Sequence, residues 1–400
     1  MIVRIVVALL LLLTGCSSEG AKAPGGEALV VVSAPLSAQP WVGRFTERGA
    51  RLAADQLNAK GGMAGRQVRV EVLDNGGSPQ QVVAHARKAV ARGAVGMVID
   101  GVGAVAVAEV TDPASLPVFV VFEGGTSLVD PRARPTLFRL APANKPLSTR
   151  LSDYLSERAK RVALLSDDSQ YGAEGAAQMR TAFARNAIDV AADVTVPQST
   201  SDVAPQVLSA RRSGAQALVV WARATGVAAV VRATRAAGWD VPIYTGPAGE
   251  DPLVRQRLAD HPEWLDGLTF VSFRITSEVG PEPFASYRKA YVDEYGEEEV
   301  GVRAAGRPVL SPPDWSMYSY DALQLLAAGL ATAEGRTGAP LMAALDNTVV
   351  TGANGDERGF GPTDREGVSP DDMYFARFKD MRFAPVTDDI LSTGLPTVAQ

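Results

Sequence analysis

The chain has 400 residues, 46% apolar and 21% charged, which are the proportions of an ordinary folded protein rather than a disordered one. Thirty-nine Lys and Arg against 45 Asp and Glu leave a formal charge of −6 with no basic block, which argues against a nucleic-acid or anionic-membrane surface. One cysteine and two histidines leave no basis for a disulfide framework or a histidine-based metal site.

The first element is "ALLLLLTGCSSEG", which holds the lone Cys16. Its apolar run, Ile5 to Leu13, is about half of the ~20 residues that a bilayer span requires. Arg4 ahead of the run and the small residues Thr14 and Gly15 behind it have the layout of a secretory signal and its cleavage site. Leu13 to Cys16 also resembles a bacterial lipobox, which implies cleavage before Cys16 and acylation of its thiol. Residues 1–15 are then a signal peptide, and 16–27, small, polar and glycine-rich, a lipidated flexible tether. Ser17 rather than aspartate follows the cysteine, so retention at an inner membrane is not indicated.

From Leu29 a strand–helix rhythm begins. The strand "LVVVSA" leads to a helix over 44–60, then "VRVEVLD", a helix over 79–92 that opens on Pro79, "VGMVID", a short Ala/Val helix and "VFVVF". The rhythm restarts after "APANKP" with helix 147–159, "RVALLS", helix 173–186, "DVAADVTV", helix 202–213, "QALVVW", helix 226–237, "VPIYTG" and "GLTFVSF". Continuous apolar strands alternating with helices predict parallel sheets covered on both faces, and two such units predict two α/β lobes. The last third is less regular: helix 281–295, a Pro-rich loop "GRPVLSPPDW", helix 315–334, helix 339–346 and a hairpin in "MYFARFKDMRFAP".

In open α/β sheets a ligand sits beyond the carboxyl ends of the strands. The segments that follow them here, among them "SAPLSAQPW", "FEGGTS", "SDDSQYG", "WARATG" and "TGPAGED", are rich in glycine and hydroxyl residues, a composition that suits binding through backbone N–H groups. No phosphate loop, GxSxG elbow, HExxH or complete dinucleotide fingerprint is present, and no cofactor is expected. His85, on the helix 79–92, and His261, in a "DHPEW" turn, read as surface residues, and the acidic clusters as solvated faces or helix caps.

"APLSAQPWVG", "RGARLAADQLNAKGGMAGRQVRVEVLDNGGSPQQVV", "SDDSQYG", "GPAGED" and "YSYDALQLLAAGLATA" together resemble the leucine/isoleucine/valine-binding type of extracytoplasmic solute-binding protein, the type I periplasmic binding proteins of ABC importers. The resemblance implies two doubly wound lobes joined by three hinge crossings, with lobe one at 28–143 plus 275–350 and lobe two at 144–274 plus 351–400. It also implies a small polar ligand (amino acid, amide or small carboxylate), a membrane-bound permease and ATPase as partners, and a monomer anchored through Cys16. It carries Gly125 and Thr126 over as holders of a ligand carboxylate, Tyr171 as an aromatic from the second lobe and Trp41 as a cover. Two expected polar contacts are absent: Ala104 stands for a serine that helps hold the carboxylate, and Ala248 for a glutamate that meets the ligand ammonium. Glu250, Asp251 and Glu123 are the candidate substitute acids; alternatively the ligand lacks an ammonium and Arg223 pairs with a second carboxylate. A receptor that reports occupancy to a separate sensor is the second functional reading, and an enzyme in the same scaffold a distant third.

Overall fold

The computed structural model describes residues 26–126, 128–198, 202–273, 282–369 and 373–386. The signal peptide, Cys16 and nearly all of the expected tether lie outside them.

The first sheet is parallel, in the order β2-β1-β3-β4-β5, built from β1 (Ala28–Ala34), β2 (Val68–Asp74), β3 (Gly96–Ile99), β4 (Val118–Val120) and β5 (Leu137–Arg139). Alternation along β1 divides its side chains between two cores. Val30 and Val32 face α1 (Pro40–Ala59), α9 (Glu282–Tyr295), α10 (Ser316–Thr332) and α11 (Ala339–Leu345). Leu29 and Val31 face α2 (Pro79–Ala91) and α3 (Ala104–Thr111). Both faces are covered, which is why the strand carries an unbroken run of β-branched residues rather than polar alternation.

The second sheet has the order β16-β15-β10-β9-β8-β6-β7. Its strands β6 (Arg161–Asp167), β7 (Asp189–Val196), β8 (Ala217–Trp221), β9 (Ile243–Thr245) and β10 (Thr269–Phe273) are parallel. The hairpin β15 (Met373–Lys379) and β16 (Arg382–Pro385) adds two antiparallel strands at the β10 edge. α4 (Asn144–Ser156) and α5 (Gln170–Arg185) cover one face, and α6 (Ala204–Arg212), α7 (Ala224–Ala236) and α8 (Pro252–Arg257) the other. The chain passes between the sheets from β5 to α4, from β10 to α9, and between Val368 and β15. The last two passages run through 274–281 and 370–372, outside the described residues.

Three features differ from the sequence expectation. "GRPVLSPPDW" is not all loop: β12 (Arg307–Ser311) pairs with β11 (Glu298–Ala304). This hairpin follows α9 of the first lobe, yet Val300 and Val309 enter the second lobe's core, Gln256 Nε2 donates to the Val300 carbonyl at 2.5 Å and Arg255 Nη1 to the Leu310 carbonyl at 3.0 Å. Glu298 ties it back to Arg44 and Arg48 of α1. Second, β13 (Val349–Thr351) and β14 (Glu357–Gly359) form a hairpin beside α10, and Phe360 and Val368 lie in the first lobe's core, beyond the expected division at residue 350. Third, His85 is half-buried rather than a plain surface residue, its Nδ1 2.9 Å from the Oγ of buried Ser33, and burial, with Lys88 nearby, lowers its pKa. His261 stacks on Trp264 at 3.8 Å and meets Glu263 at 3.0 Å.

Candidate functional site

Strand order reverses direction between β1 and β3 in the first sheet and between β6 and β8 in the second. The loops beyond such reversals splay apart and leave room for a ligand. A cavity of about 570 Å³ lies there and is lined from both lobes, a size in the range of small-molecule sites.

Trp41 lines it from the start of α1, with the Arg44 guanidinium 4.6 Å from its ring centre. Phe122, Glu123 and Gly124 follow β4, and Phe122 sits edge-on to Trp315, ring centres 5.2 Å apart. From the second lobe come Tyr171 of α5, Arg223, Ala224 and Thr225 at the start of α7, and Ala248, Glu250 and Asp251 after β9. Burial, with Glu123 next in weight, raises the Tyr171 pKa, so its phenol stays neutral; it also bonds to the Ala248 backbone.

Two polar contacts join the lobes across the cavity. Arg223 Nη2 meets Glu123 Oε1 at 3.5 Å. Glu250 Oε1 accepts the Trp315 indole N–H at 2.5 Å and the Ser272 hydroxyl at 2.7 Å. Burial pushes the Glu250 pKa to about 8, and Asp314 and Asp251 add to the rise. Asp251 is raised to about 6 by burial while its Oδ1 caps α8 by accepting the Leu253 N–H at 2.8 Å. Glu123 is also raised, chiefly by burial, against the pull of Arg223. Behind it, Asp100 is raised to about 7 by burial and then by Glu123; its Oδ1 accepts from Asn75 at 3.1 Å and its Oδ2 has no partner. Gly101 makes this approach possible: with φ at +122° and a would-be Cβ 2.4 Å from Glu123 Cβ, no other residue fits.

The remaining sequence-predicted positions lie off the cavity wall. Ala104 opens α3 and is buried against the α2–α3 core. Gly125 and Thr126 follow the lining loop. The Gly125 carbonyl accepts Arg139 Nη1 at 2.6 Å, and Arg139 is itself forked onto Glu366. A Cβ on Gly125 would lie 2.5 Å from Glu174 Oε2, so a carboxylate from α5 of the second lobe already rests against this turn. The Thr126 hydroxyl is buried without a partner.

Sequence reasoning misses Asn144, Gln198, Gln256, Trp315 and Tyr318, all of which line the cavity. Asn144 had a usable signal, since it sits in "APANKP", where the strand–helix rhythm breaks and the chain changes lobes. Trp315 and Tyr318 had none, because they are brought in by α10 from far along the chain. Among the described residues no cluster of His, Cys, Asp and Glu could hold a metal ion, and no helix is long and apolar enough to cross a membrane.

Comparison with known proteins agrees with this architecture. A Leu/Ile/Val-binding protein homologue of Brucella melitensis is 23% identical over 306 residues, 72% of this chain and 74% of its own length. The periplasmic binding protein type 1 of Bordetella pertussis superimposes with a TM-score of 0.79 at 20% identity, over 90% of this chain and 100% of the other. The branched-chain amino acid transporter substrate-binding protein LivJ of Streptococcus pneumoniae, solved with isoleucine, gives 0.75 at 20% identity, over 90% and 98%. These relatives are binding proteins rather than enzymes. The periplasmic binding protein family model matches residues 30–382, and the chain belongs to that family.

Proposed function

We propose that the protein is a lipid-anchored, monomeric, extracytoplasmic solute-binding protein that closes its two lobes on a small polar ligand and delivers it to an ABC-type permease. The observation that carries this reading is the cavity itself, whose wall comes from both lobes and whose Arg223–Glu123 contact across it would be remade around a guest. A ligand that touches both lobes favours the closed arrangement by its differential affinity, which supplies the whole driving force for closure. The names of the relatives, leucine/isoleucine/valine-binding and amino acid-binding, favour an amino acid as the ligand class.

The test is a thermal-shift screen of amino acids, amides, urea and small carboxylates, followed by small-angle scattering with the ligand that stabilises most. Compaction on saturation is expected, and an unchanged radius of gyration with a verified ligand would remove the closure mechanism. Anchoring is tested in the full chain. Cys16→Ser is expected to move the protein from the membrane fraction to the soluble extracytoplasmic fraction, and an unaltered distribution would refute the anchor.

A further inference from the structure

The resemblance implies that the first lobe holds a ligand carboxylate, through Gly125 and Thr126, and that an acid of the second lobe meets the ammonium. The charges around this cavity are arranged the other way. Of the three candidate acids, Glu250 already accepts two hydrogen bonds and Asp251 is committed to the α8 cap. Glu123 is left, and it belongs to the first lobe, with Asp100 behind it. Arg223 is the one Lys or Arg among the described residues that line the cavity, and it belongs to the second lobe. It stands at the N-cap of the 13-residue helix α7, where its backbone N–H donates to the buried Asp167 Oδ2 at 2.6 Å, so the positive charge offered to the cavity is the guanidinium itself. The Gly125 turn is unsuited to an anion because Glu174 rests against it.

Two further observations point to a ligand site at these residues. The Glu123–Arg223 contact is a single one at 3.5 Å, the outer limit of a hydrogen bond, whereas Arg139 and Glu366 of the same protein form a two-point fork. Asn144, 1% exposed and part of the cavity wall, has no partner for either atom of its amide. Its Oδ1 would lie 2.7 Å from a Cβ on Gly124, the residue after Glu123, so an unpartnered acceptor stands against the loop that carries that carboxylate.

Building on the solute-binding function proposed above, we infer that the ligand is a zwitterion bound in inverted polarity, its cationic nitrogen on Glu123 of the first lobe and on Asn144 where the chain crosses between lobes, and its carboxylate on Arg223 of the second lobe. The guest replaces one stretched ion pair by two well-formed ones and bridges the lobes in doing so.

The test uses the purified mature protein and the twenty free L-amino acids, with the α-amide and the N-acetyl form of whichever stabilises it most. The parent is expected to bind both derivatives about 30-fold or more weakly, since each loses one charge partner. Glu123→Gln is expected to lose affinity for the free amino acid and to stop distinguishing it from the N-acetyl form. Arg223→Gln is expected to stop distinguishing it from the amide, and Glu123→Asp to recover part of the lost binding. If the pair were only a latch between lobes, the double variant Glu123→Arg, Arg223→Glu would keep parental affinity and both preferences, which would overturn the inference. So would an unchanged affinity in Glu123→Gln with parental melting behaviour. Binding of small carboxylates or urea but of no amino acid would overturn the zwitterion and leave the solute-binding function standing; binding of nothing in either panel would sink both.

Discussion

Glu250 offers a direct measurement of how the cleft is held when empty. Burial raises its pKa from 4.5 to about 8, so at neutral pH the folded chain holds a proton there that the unfolded chain has released. The sign follows from linkage: between those two values the folded state binds more protons, so stability falls as pH rises and the loss is complete above about 8. Each pH unit contributes about 1.4 kcal/mol, and the interval from pH 6 to about 8 therefore removes about 3 kcal/mol through this one group. Asp251, at about 6, has largely completed its change by then, and Asp100, at about 7, adds a smaller fall of the same sign. Glu250→Gln keeps a carbonyl oxygen for the Trp315 and Ser272 donors and removes the titration. Urea unfolding of the ligand-free protein at intervals from pH 6 to 9 is the assay. The parent should lose stability across the range, whereas the variant should retain only the shallower slope left by the other raised carboxyls, Asp100 and Glu123 among them, and should be the more stable protein at pH 9. A variant whose curve falls as steeply as the parent's would refute the assignment of that proton to Glu250.

Other substitutions test the frame around the site. Gly175→Ala would place a Cβ 2.0 Å from the Trp221 ring, so a loss of about 1–3 kcal/mol is expected, with altered Trp fluorescence because Tyr171 packs on that ring; unchanged melting would contradict the packing. Asp321→Asn in the fully buried Asp321–Arg358 pair leaves a guanidinium short of its counter-charge and should cost about 3–5 kcal/mol, read by chemical denaturation. Trp315→Phe removes the indole donor that reaches across to Glu250, so ligand-free protein should have a larger radius of gyration by small-angle scattering, and an identical profile would show that this contact does not hold the lobes together.

Much of the scaffold was legible because it rests on local pattern. Runs such as "LVVVSA" and "ALVVW" are buried on both faces and have no alternative as surface segments, and the helices between them differ from expectation mainly by a few residues at their ends. The β11–β12 hairpin was not legible. Its strands are short and partly charged, with exposed residues on one side, and what fixes them is the α8 surface of a lobe to which they are not adjacent in sequence. The same division holds at the cavity. Trp41, Tyr171, Arg223 and Glu250 follow strands of the two sheets and could be placed from the strand pattern, whereas Gly125 and Thr126 sit just past the part of their loop that faces inward. The Glu174 carboxylate against Gly125 depends on how two lobes face each other, which no one-dimensional spacing encodes.

Of the helices that cover the Val30 and Val32 face of the first sheet, α9 to α11 end only at Leu345, although the sheet itself is complete at Arg139. Until those helices exist, Val30, Val32, Val98, Phe119 and Phe138 have only α1 to pack against on that side. At about 5–20 residues per second, the intervening stretch of about 200 residues takes roughly 10–40 s to synthesise, an interval far longer than hydrophobic collapse. During that time the sheet is a partly covered apolar surface, a state suited to holdase chaperones and prone to wrong association. The second lobe, whose parallel strands and covering helices are contiguous in sequence, can take shape first. The parallel core of the later lobe can therefore form before the lobe that begins the chain is covered, and the β15–β16 hairpin is added to it at the end.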